Sequence, residues 1–302
     1  MLQSRRTVSD KRAALRSLLA GSDLVRMPGA HDPLTGMLIQ RMGFEGIYVS
    51  GGALSASLGL PDIGLTTLSE VAAHAARIAR TTDVPVLVDA DTGFGEPLNA
   101  ARTVQVLEDA GVCALHLEDQ VNPKRCGHLD GKEVVDTAAA ARRVAAAVAA
   151  RRDPDLLIVA RTDIRGVAPI EAVVRRARAL AEAGADVIFP EALHSPAEFE
   201  AVTAAVDVPV MANITEFGKA ELFSHDVLRR AGVRIAIHPV SSLRLAMAAV
   251  RRSLEVLRDE GTLYGELPHM LTRSELYDLL DYAGYAAFDE RILGFEASEG
   301  DR

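Results

Sequence analysis

Residues 156–191 read LLIVARTDIRGVAPIEAVVRRARALAEAGADVIFPE. Leu156–Arg161 is a short, almost wholly apolar run before its closing Arg. Such a run, bounded by turn residues, reads as a strand buried on both faces. Ile170–Ala183 spaces apolar residues at helical intervals among Arg and Glu, which predicts an amphipathic helix. Gly184 follows where a left-handed helix cap is expected, and Asp186–Pro190 is a second apolar run. Strand, helix, cap and strand together describe one β/α/β unit with a parallel pair of strands.

Outward from this unit the same pattern repeats. Strands are predicted at Leu24–Gly29, Gly46–Ser50, Val84–Asp89, Ala114–Glu118, Leu156–Arg161, Asp186–Pro190, Val208–Asn213 and Arg234–Pro239. Helices are predicted at Leu34–Met42, Leu68–Thr81, Ala100–Ala110, Thr137–Ala150, Ile170–Ala183, Pro196–Val206 and near Glu221–Ala231. Gly43, Gly111, Gly184 and Gly232 each follow a helix, and an Ala-Gly-(Val/Ala) echo recurs at 110–112, 183–185 and 231–233. Eight such units argue for an α/β fold of the (β/α)8 TIM-barrel type, a class that runs to about 250 residues as one domain. The competing open, doubly wound sheet would place a G-x-G-x-x-G after its first strand, and none is present. Residues 241–302 exceed what an eighth helix needs. They carry helical patterns at Ser241–Asp259 and near Arg273–Ala283 with no Pro/Ser-rich linker before them. The expectation is a single domain, 1–302, with 241–302 forming the last barrel helix and a C-terminal helical extension of the kind that packs on a neighbouring subunit.

Hydrophobic residues make up 49% of the 302 positions and charged residues 25%, with both signs interspersed and a net charge of −9. A chain this acidic lacks the basic face that phosphate neutralisation requires, so nucleic acid is not an expected partner. A few local Arg side chains still suffice for a small anionic substrate. Two cysteines in a chain of this length form no disulfide framework, which points to a reducing cytoplasm. Cys113 lies in an apolar run and reads as inert core. The chain offers no apolar stretch long enough for a signal peptide or a membrane span.

Barrel active sites lie at the C-terminal ends of the strands. Those ends read His31-Asp32, Ser50-Gly51-Gly52, Asp89-Ala90-Asp91, Glu118-Asp119, Arg161-Thr162-Asp163, Glu191, Asn213-Ile214-Thr215-Glu216 and His238-Pro239. Polar and ionisable groups gather there, while the strand interiors are apolar. Asp89 and Asp91, two apart on an extended backbone, point the same way. With Glu118 they form an oxygen-rich cluster suited to Mg2+, or Mn2+, rather than zinc; capping of the following helices would account for one such carboxylate, not three. In the loop after the fourth strand, Lys124-Arg125-Cys126-Gly127-His128 surrounds a thiol with cations, a setting that lowers a thiol pKa and permits proton transfer near neutrality. Arg161 ends a strand and is expected to face the pocket, where a guanidinium fork would grip a carboxylate. Arg244 and Arg273 read equally well as surface ion pairs.

These residues resemble the isocitrate lyase/phosphoenolpyruvate mutase superfamily, and within it the branch that acts on 2-methylisocitrate. The resemblance runs from about Arg26 to Tyr282. It rests on Met27-Pro-Gly-Ala, Tyr48-Val-Ser-Gly-Gly52, Gly59-Leu-Pro-Asp62, Val88-Asp-Ala-Asp-Thr-Gly-Phe-Gly95, His116-Leu-Glu-Asp-Gln120, Lys124-Arg-Cys-Gly-His128, Ala160-Arg-Thr-Asp163, Phe189-Pro-Glu191 and Asn213-Ile-Thr-Glu-Phe-Gly218. It implies a Mg2+-dependent lyase that splits its substrate to pyruvate and succinate by retro-aldol chemistry, in the methylcitrate route of propionate breakdown. By the same resemblance, Asp89 and Asp91 hold the metal, with Asp62 and Glu118 nearby. Ser50, Gly51 and Gly52 bind the hydroxy-carboxylate end beside Tyr48, and Arg161 binds and polarises it. Glu191, Asn213, Ile214, Thr215, Arg244 and Arg273 serve the remaining carboxylates. Cys126, next to Gly127, is the proton donor, and Tyr48 is one candidate for the base. A homotetramer, with a helix exchanged between subunits, is the assembly it implies. His238, Val240 and Ala53 depart from the superfamily's pattern (Tyr, Leu and a third Gly are expected there). They bear on the choice of substrate, with dimethylmalate, isocitrate and oxaloacetate as alternatives.

Overall fold

The computed structural model describes residues 4–125, 127, 131–218 and 220–295. All eight predicted strands form: β1 (Val25–Pro28), β2 (Ile47–Val49), β3 (Val86–Asp89), β4 (Ala114–Glu118), β5 (Leu157–Thr162), β6 (Val187–Pro190), β7 (Met211–Asn213) and β8 (Ile235–His238). The helices are α1 (Val8–Ala20), α2 (Pro33–Arg41), α3 (Gly51–Ser57), α4 (Leu68–Thr81), α5 (Pro97–Asp109), α6 (Thr137–Ala150), α7 (Ile170–Glu182), α8 (Pro196–Thr203), α9 (His225–Arg230), α10 (Ser241–Glu260), α11 (Arg273–Leu279) and α12 (Tyr282–Leu293). Strands pair in parallel in the order β2-β3-β4-β5-β6 and β1-β8-β7. Single bridges, Gly29 to Tyr48 and Ile188 to Val210, lie at the two seams. The fold is α/β and TIM-barrel-like. Among the described residues no helix is long and apolar enough to cross a membrane.

The strand sequences read as continuous apolar runs because both faces are covered, and the period of two separates them. Met27, Leu87, Leu157, Val159, Val187, Phe189, Met211, Ile235 and Ile237 share one inner cluster. Their neighbours Val86, Val88, Leu115 and Ile158 face the helices, as do Ala160, Ile188, Ala212 and Ala236. The four glycines predicted to cap helices all adopt positive φ, from 78° at Gly43 to 97° at Gly184.

The N-terminal helix α1 was not anticipated. Thr7 and Asp10 close a capping box at its start, and it lays Leu15, fully buried, against the inner cluster at the strands' N-terminal end. Arg12 donates to the carbonyls of Val112 and Glu108 and pairs with Asp153 at 2.7 Å. The short helix α3 was also unanticipated, because Gly51-Gly52 reads as a loop; Ser50 caps it by accepting from Ala53 N–H. At the other end, the single helix expected near 273–283 is two, α11 and α12, broken at Asp281 in a left-handed turn with φ 54°. Helix α10 buries none of its residues, and Leu245, Met247, Leu254 and Leu257 all stand exposed along it.

Candidate functional site

The inner face that carries Leu87, Val159, Phe189 and Met211 carries polar residues one step further along each strand. Steps of two from these apolar positions arrive at Asp89, Arg161 and Asp163, Glu191 and Asn213. On β2 and β4 the same series gives Ser50, His116 and Glu118. Of these, Ser50, Asp89, Arg161, Glu191 and Asn213 line a cavity of about 410 Å³, with His116, Glu118 and Asp163 buried behind them. Its walls include Tyr48, Ser50, Gly52, Asp62 and Asp89 from one side, and Arg161, Glu191, Asn213, Thr215 and Arg244 from the other. Arg125 and Gly127 line it from the loop after β4, and Ala56, Pro239, Val240 and Leu243 add an apolar patch.

Arg161 is the central cation. It is buried, and the Asp163 carboxylate grips it at Nε (2.9 Å) and Nη2 (3.2 Å). Glu118 lies 3.3 Å from the same Nε, and the Phe189 ring sits 5.3 Å under the guanidinium. The ring of carboxylates holds Arg161 charged against the cost of its burial. Asn213 Nδ2 donates to Glu191 at 3.2 Å, fixing that buried carboxylate at the cavity wall. Behind them Asp119 accepts from Thr162 Oγ1 (2.6 Å), Arg176 (2.7 Å) and the backbone of Asp163 (2.8 Å), which freezes the end of β5.

Asp89 and Asp91 do come together, but not by strand alternation. The strand ends at Asp89, and Asp91 sits beyond it in the left-handed region with φ 46°. That turn lets Asp91 N–H donate to Asp89 Oδ1 at 3.0 Å and swings the second carboxylate beside the first. The cation they need is supplied in part by Lys124. This buried lysine reaches back between Asp62 and Asp91, 2.7 Å from Asp91 Oδ1. Burial disfavours its charge, but Asp91, Asp89, Asp62 and Glu118 push its pKa upward. Burial and the Asp89 charge raise Asp91 to about 6. Glu118 is pushed well above the usual carboxylate range, chiefly by burial.

Among the described residues no three His, Cys, Asp or Glu side chains form a ready metal cage. The donor set nonetheless suits a partly hydrated Mg2+, which keeps several waters and takes one or two carboxylates. Glu118 Oε1 is buried without a hydrogen-bond partner, the state expected of an oxygen awaiting a cation, whereas Asp91 Oδ1 is met by the Lys124 ammonium at 2.7 Å.

The remaining expected residues divide. Gly51 touches the cluster from beneath, its N–H donating to Asp89 Oδ2 at 3.2 Å. Ile214 turns its side chain into the outer core. Arg244 reaches the cavity, with Nη1 donating to the Glu216 carbonyl at 2.6 Å. Arg273, by contrast, is exposed in the first turn of α11 and is not part of the cavity wall. Helix α11 lies against α2, where Arg41 pairs with Asp278 at 2.6 Å. Cys126 and His128 lie outside the described residues, and Cys113 is buried core as expected, its thiol pushed up by burial. Sequence reasoning missed His116 and Lys132. His116 had a readable signal, since it falls between Ala114 and Glu118 on the inward face of β4. Its Nε2 lies 2.8 Å from the Tyr48 hydroxyl, and burial lowers its pKa to about 4, keeping it neutral.

Residues 15–258 match the model of the phosphoenolpyruvate phosphomutase family. "Probable 2-methylisocitrate lyase 2" of Corynebacterium glutamicum is 56% identical over 289 residues, spanning 96% of this chain and 94% of that protein. Two solved structures superpose closely. A 2,3-dimethylmalate lyase, described as a PEP mutase/isocitrate lyase superfamily member, has TM-score 0.86 and 33% identity and covers 98% of this chain and 99% of its own. A phosphonopyruvate hydrolase in complex with oxalate and Mg2+ has TM-score 0.85 and 30% identity and covers 94% and 99%.

Proposed function

Because the chain belongs to the phosphoenolpyruvate phosphomutase family, we propose that it is a carbon–carbon lyase that cleaves 2-methylisocitrate to pyruvate and succinate. The observation that carries this reading is the loop after β4. Arg125 and Gly127, which flank Cys126 in sequence, line the same cavity as Arg161, and Gly127 lies directly against the Arg161 guanidinium. A thiol-bearing segment facing a buried guanidinium supplies both needs of a retro-aldol cleavage, charge stabilisation on one fragment and a proton for the other.

Arg161 binds the hydroxy-carboxylate end with the guanidinium N–H groups that Asp163 does not take and favours the developing carbonyl oxygen. Ser50 and Gly52 border the same end. Asn213, Thr215 and Arg244 receive the distal carboxylates. The proton leaving the substrate hydroxyl passes to the Tyr48 oxygen as the phenol releases its own proton to His116 Nε2, in the tautomer that leaves that nitrogen free to accept. Cleavage of the carbon–carbon bond then leaves its electron pair on the succinate fragment, where Cys126 delivers a proton. Mg2+, or Mn2+, held by Asp89 and Asp91 with Asp62 and Glu118 nearby, would polarise the hydroxy-carboxylate. The apolar patch of Ala56, Pro239, Val240 and Leu243 favours a methylated substrate, and leaves 2,3-dimethylmalate as the second candidate.

The finer architectural reading is a single domain folded as a closed barrel, 241–302 forming its last helix and a C-terminal helical extension, with a helix exchanged between the subunits of a homotetramer. It is supported by the two seam bridges and by the uncovered apolar residues of α10. The test of function is a coupled pyruvate assay with Mg2+, comparing 2-methylisocitrate, isocitrate and 2,3-dimethylmalate. Pyruvate from the first at the highest kcat/KM is expected. Folded protein that releases pyruvate from none of them would sink the lyase reading.

A further inference from the structure

The loop after β4 is held at both of its ends. At its base Gln120 bridges Val134, and Val121 N–H donates to the Glu133 carbonyl at 2.9 Å. Near its start the Gln120 amide clasps the backbone of Arg125, accepting from N–H at 2.9 Å and donating to C=O at 2.8 Å. A third tie crosses the loop. Lys132, buried, directs Nζ to the Gly127 carbonyl and to Asp163 Oδ1 at 3.0 Å. Asp163 is wholly buried and is the same carboxylate that grips Arg161.

Two close approaches show how tightly this crossing is fitted. A Cβ on Gly127 would meet Arg161 Nη2 at 2.5 Å and Glu191 Cγ at 2.7 Å, so the loop backbone is pressed directly on the cavity's working groups. A Cβ on Gly166, in the turn after β5, would meet Lys132 Cε at 2.9 Å and Nζ at 3.2 Å. A side chain at 166 would therefore displace the tip of this lysine. Lys132 is not among the residues lining the cavity. A buried ammonium so far from water persists only when paired and hydrogen-bonded, and here both acceptors belong to the site's machinery.

We propose that Lys132 is a positioning residue that pins the Gly127 backbone to the Asp163 carboxylate, so that one buried carboxylate sets the loop and the Arg161 guanidinium in register with each other. Its kinetic consequence rests on the lyase reading. Its structural consequence does not.

The test uses the full-length protein with Lys132→Met, Lys132→Arg and Gly166→Ala. Lys132→Met leaves Asp163 paired with Arg161, so the fold should survive, and a thermal melt checks that it does. Backbone hydrogen exchange over residues 121–134 should quicken at least about tenfold in Lys132→Met, with α7 unchanged. Turnover should fall about 100-fold with KM within about threefold, because the substrate groups remain while their alignment is lost. Lys132→Arg should restore slow exchange and at least about a tenth of kcat, and Gly166→Ala should fall between, since it displaces the lysine tip without removing its charge. Unchanged loop exchange in Lys132→Met, or faster exchange with undiminished kcat, would overturn the proposal. So would a uniform rise in exchange across the whole chain. If wild-type protein cleaves no 2-hydroxy diacid, the lyase reading falls, and the exchange experiment still decides the role of Lys132.

Discussion

The Tyr48 hydroxyl stands 2.8 Å from His116 Nε2, with the two rings stacked at 5.8 Å and both buried. Burial, then the Asp89 charge, raises the Tyr48 pKa well above its ordinary value, so the phenol is not an anion at rest. In the proposed mechanism it would relay a proton toward the neutral imidazole. Tyr48→Phe should lower kcat by roughly 10²–10³ with little change in KM, as expected for loss of a proton-transfer group. Steady-state kinetics on 2-methylisocitrate would check this, and a change confined to KM would remove Tyr48 from the proton path.

Arg161 stands among Asp163, Glu118 and Glu191. Arg161→Met should therefore cost about 3–5 kcal/mol of stability, because it strands buried carboxylates. Arg161→Lys should keep much of the stability but lose the two-pronged grip, lowering kcat/KM by about 100-fold or more. Urea unfolding and kinetics on the same preparations separate the two effects. Equal stability of the Met variant would mean that the carboxylates find protons or water instead.

Cys126→Ser distinguishes the lyase from its relatives. A lyase that protonates the succinate fragment from this thiol should lose several orders of magnitude in turnover while still binding substrate, since the hydroxyl is a far weaker acid. Cys113→Ser, a change in the core, should leave the residual rate per folded molecule unchanged. Near-normal activity of Cys126→Ser on any 2-hydroxy or 2-oxo diacid would point to a hydrolase or mutase type of reaction.

Exhaustive chelation should abolish turnover, and Mg2+ or Mn2+ should restore it. Calorimetry gives a readout apart from activity: Mg2+ should bind the wild-type chain and not Asp89→Asn or Asp91→Asn. Full activity in chelator would leave Lys124 as the cation that these carboxylates require.

At the opposite end of the molecule, Asp83 accepts from Ser4 Oγ at 2.6 Å and from the backbones of Arg5 and Arg6. Burial opposes its charge, yet these bonds lower its pKa below the ordinary value. A depressed folded-state pKa contributes stability that is present above the unfolded value and is lost as pH falls through the folded one. Asp83→Asn should therefore flatten the stability profile between about pH 5 and pH 2 and change it little at pH 7 in slope. Thermal melts across that range would show it, and parallel profiles for the two proteins would refute it.

Much of this was readable in advance because burial on both faces writes itself into a strand as a continuous apolar run. β4 came out at the predicted limits. Others were shorter at their starts, as at Val208, where Pro209 supplies no N–H for pairing. The inward ring of polar residues followed from the same alternation. Less legible were features fixed by backbone turns and distant partners. The left-handed turn at Asp91 is invisible in a string of letters that alternates Asp-Ala-Asp. Lys124 and Lys132 look alike, two lysines in a polar loop, and only the folded chain shows that each is buried against a different carboxylate. Arg273 is a promising guanidinium in the sequence that stands on an exposed helix apart from the cavity wall.

The carboxylate of Asp163 serves two masters, Arg161 and Lys132, from one buried position. If Lys132 positions the loop as proposed, those three sites, with Gly166 beside them, would vary together: exchanging one would leave a buried charge or a crowded contact that a matching change at another would relieve. Drift at Lys132, remote from the substrate and outwardly neutral, would thus be constrained as closely as drift at the guanidinium itself.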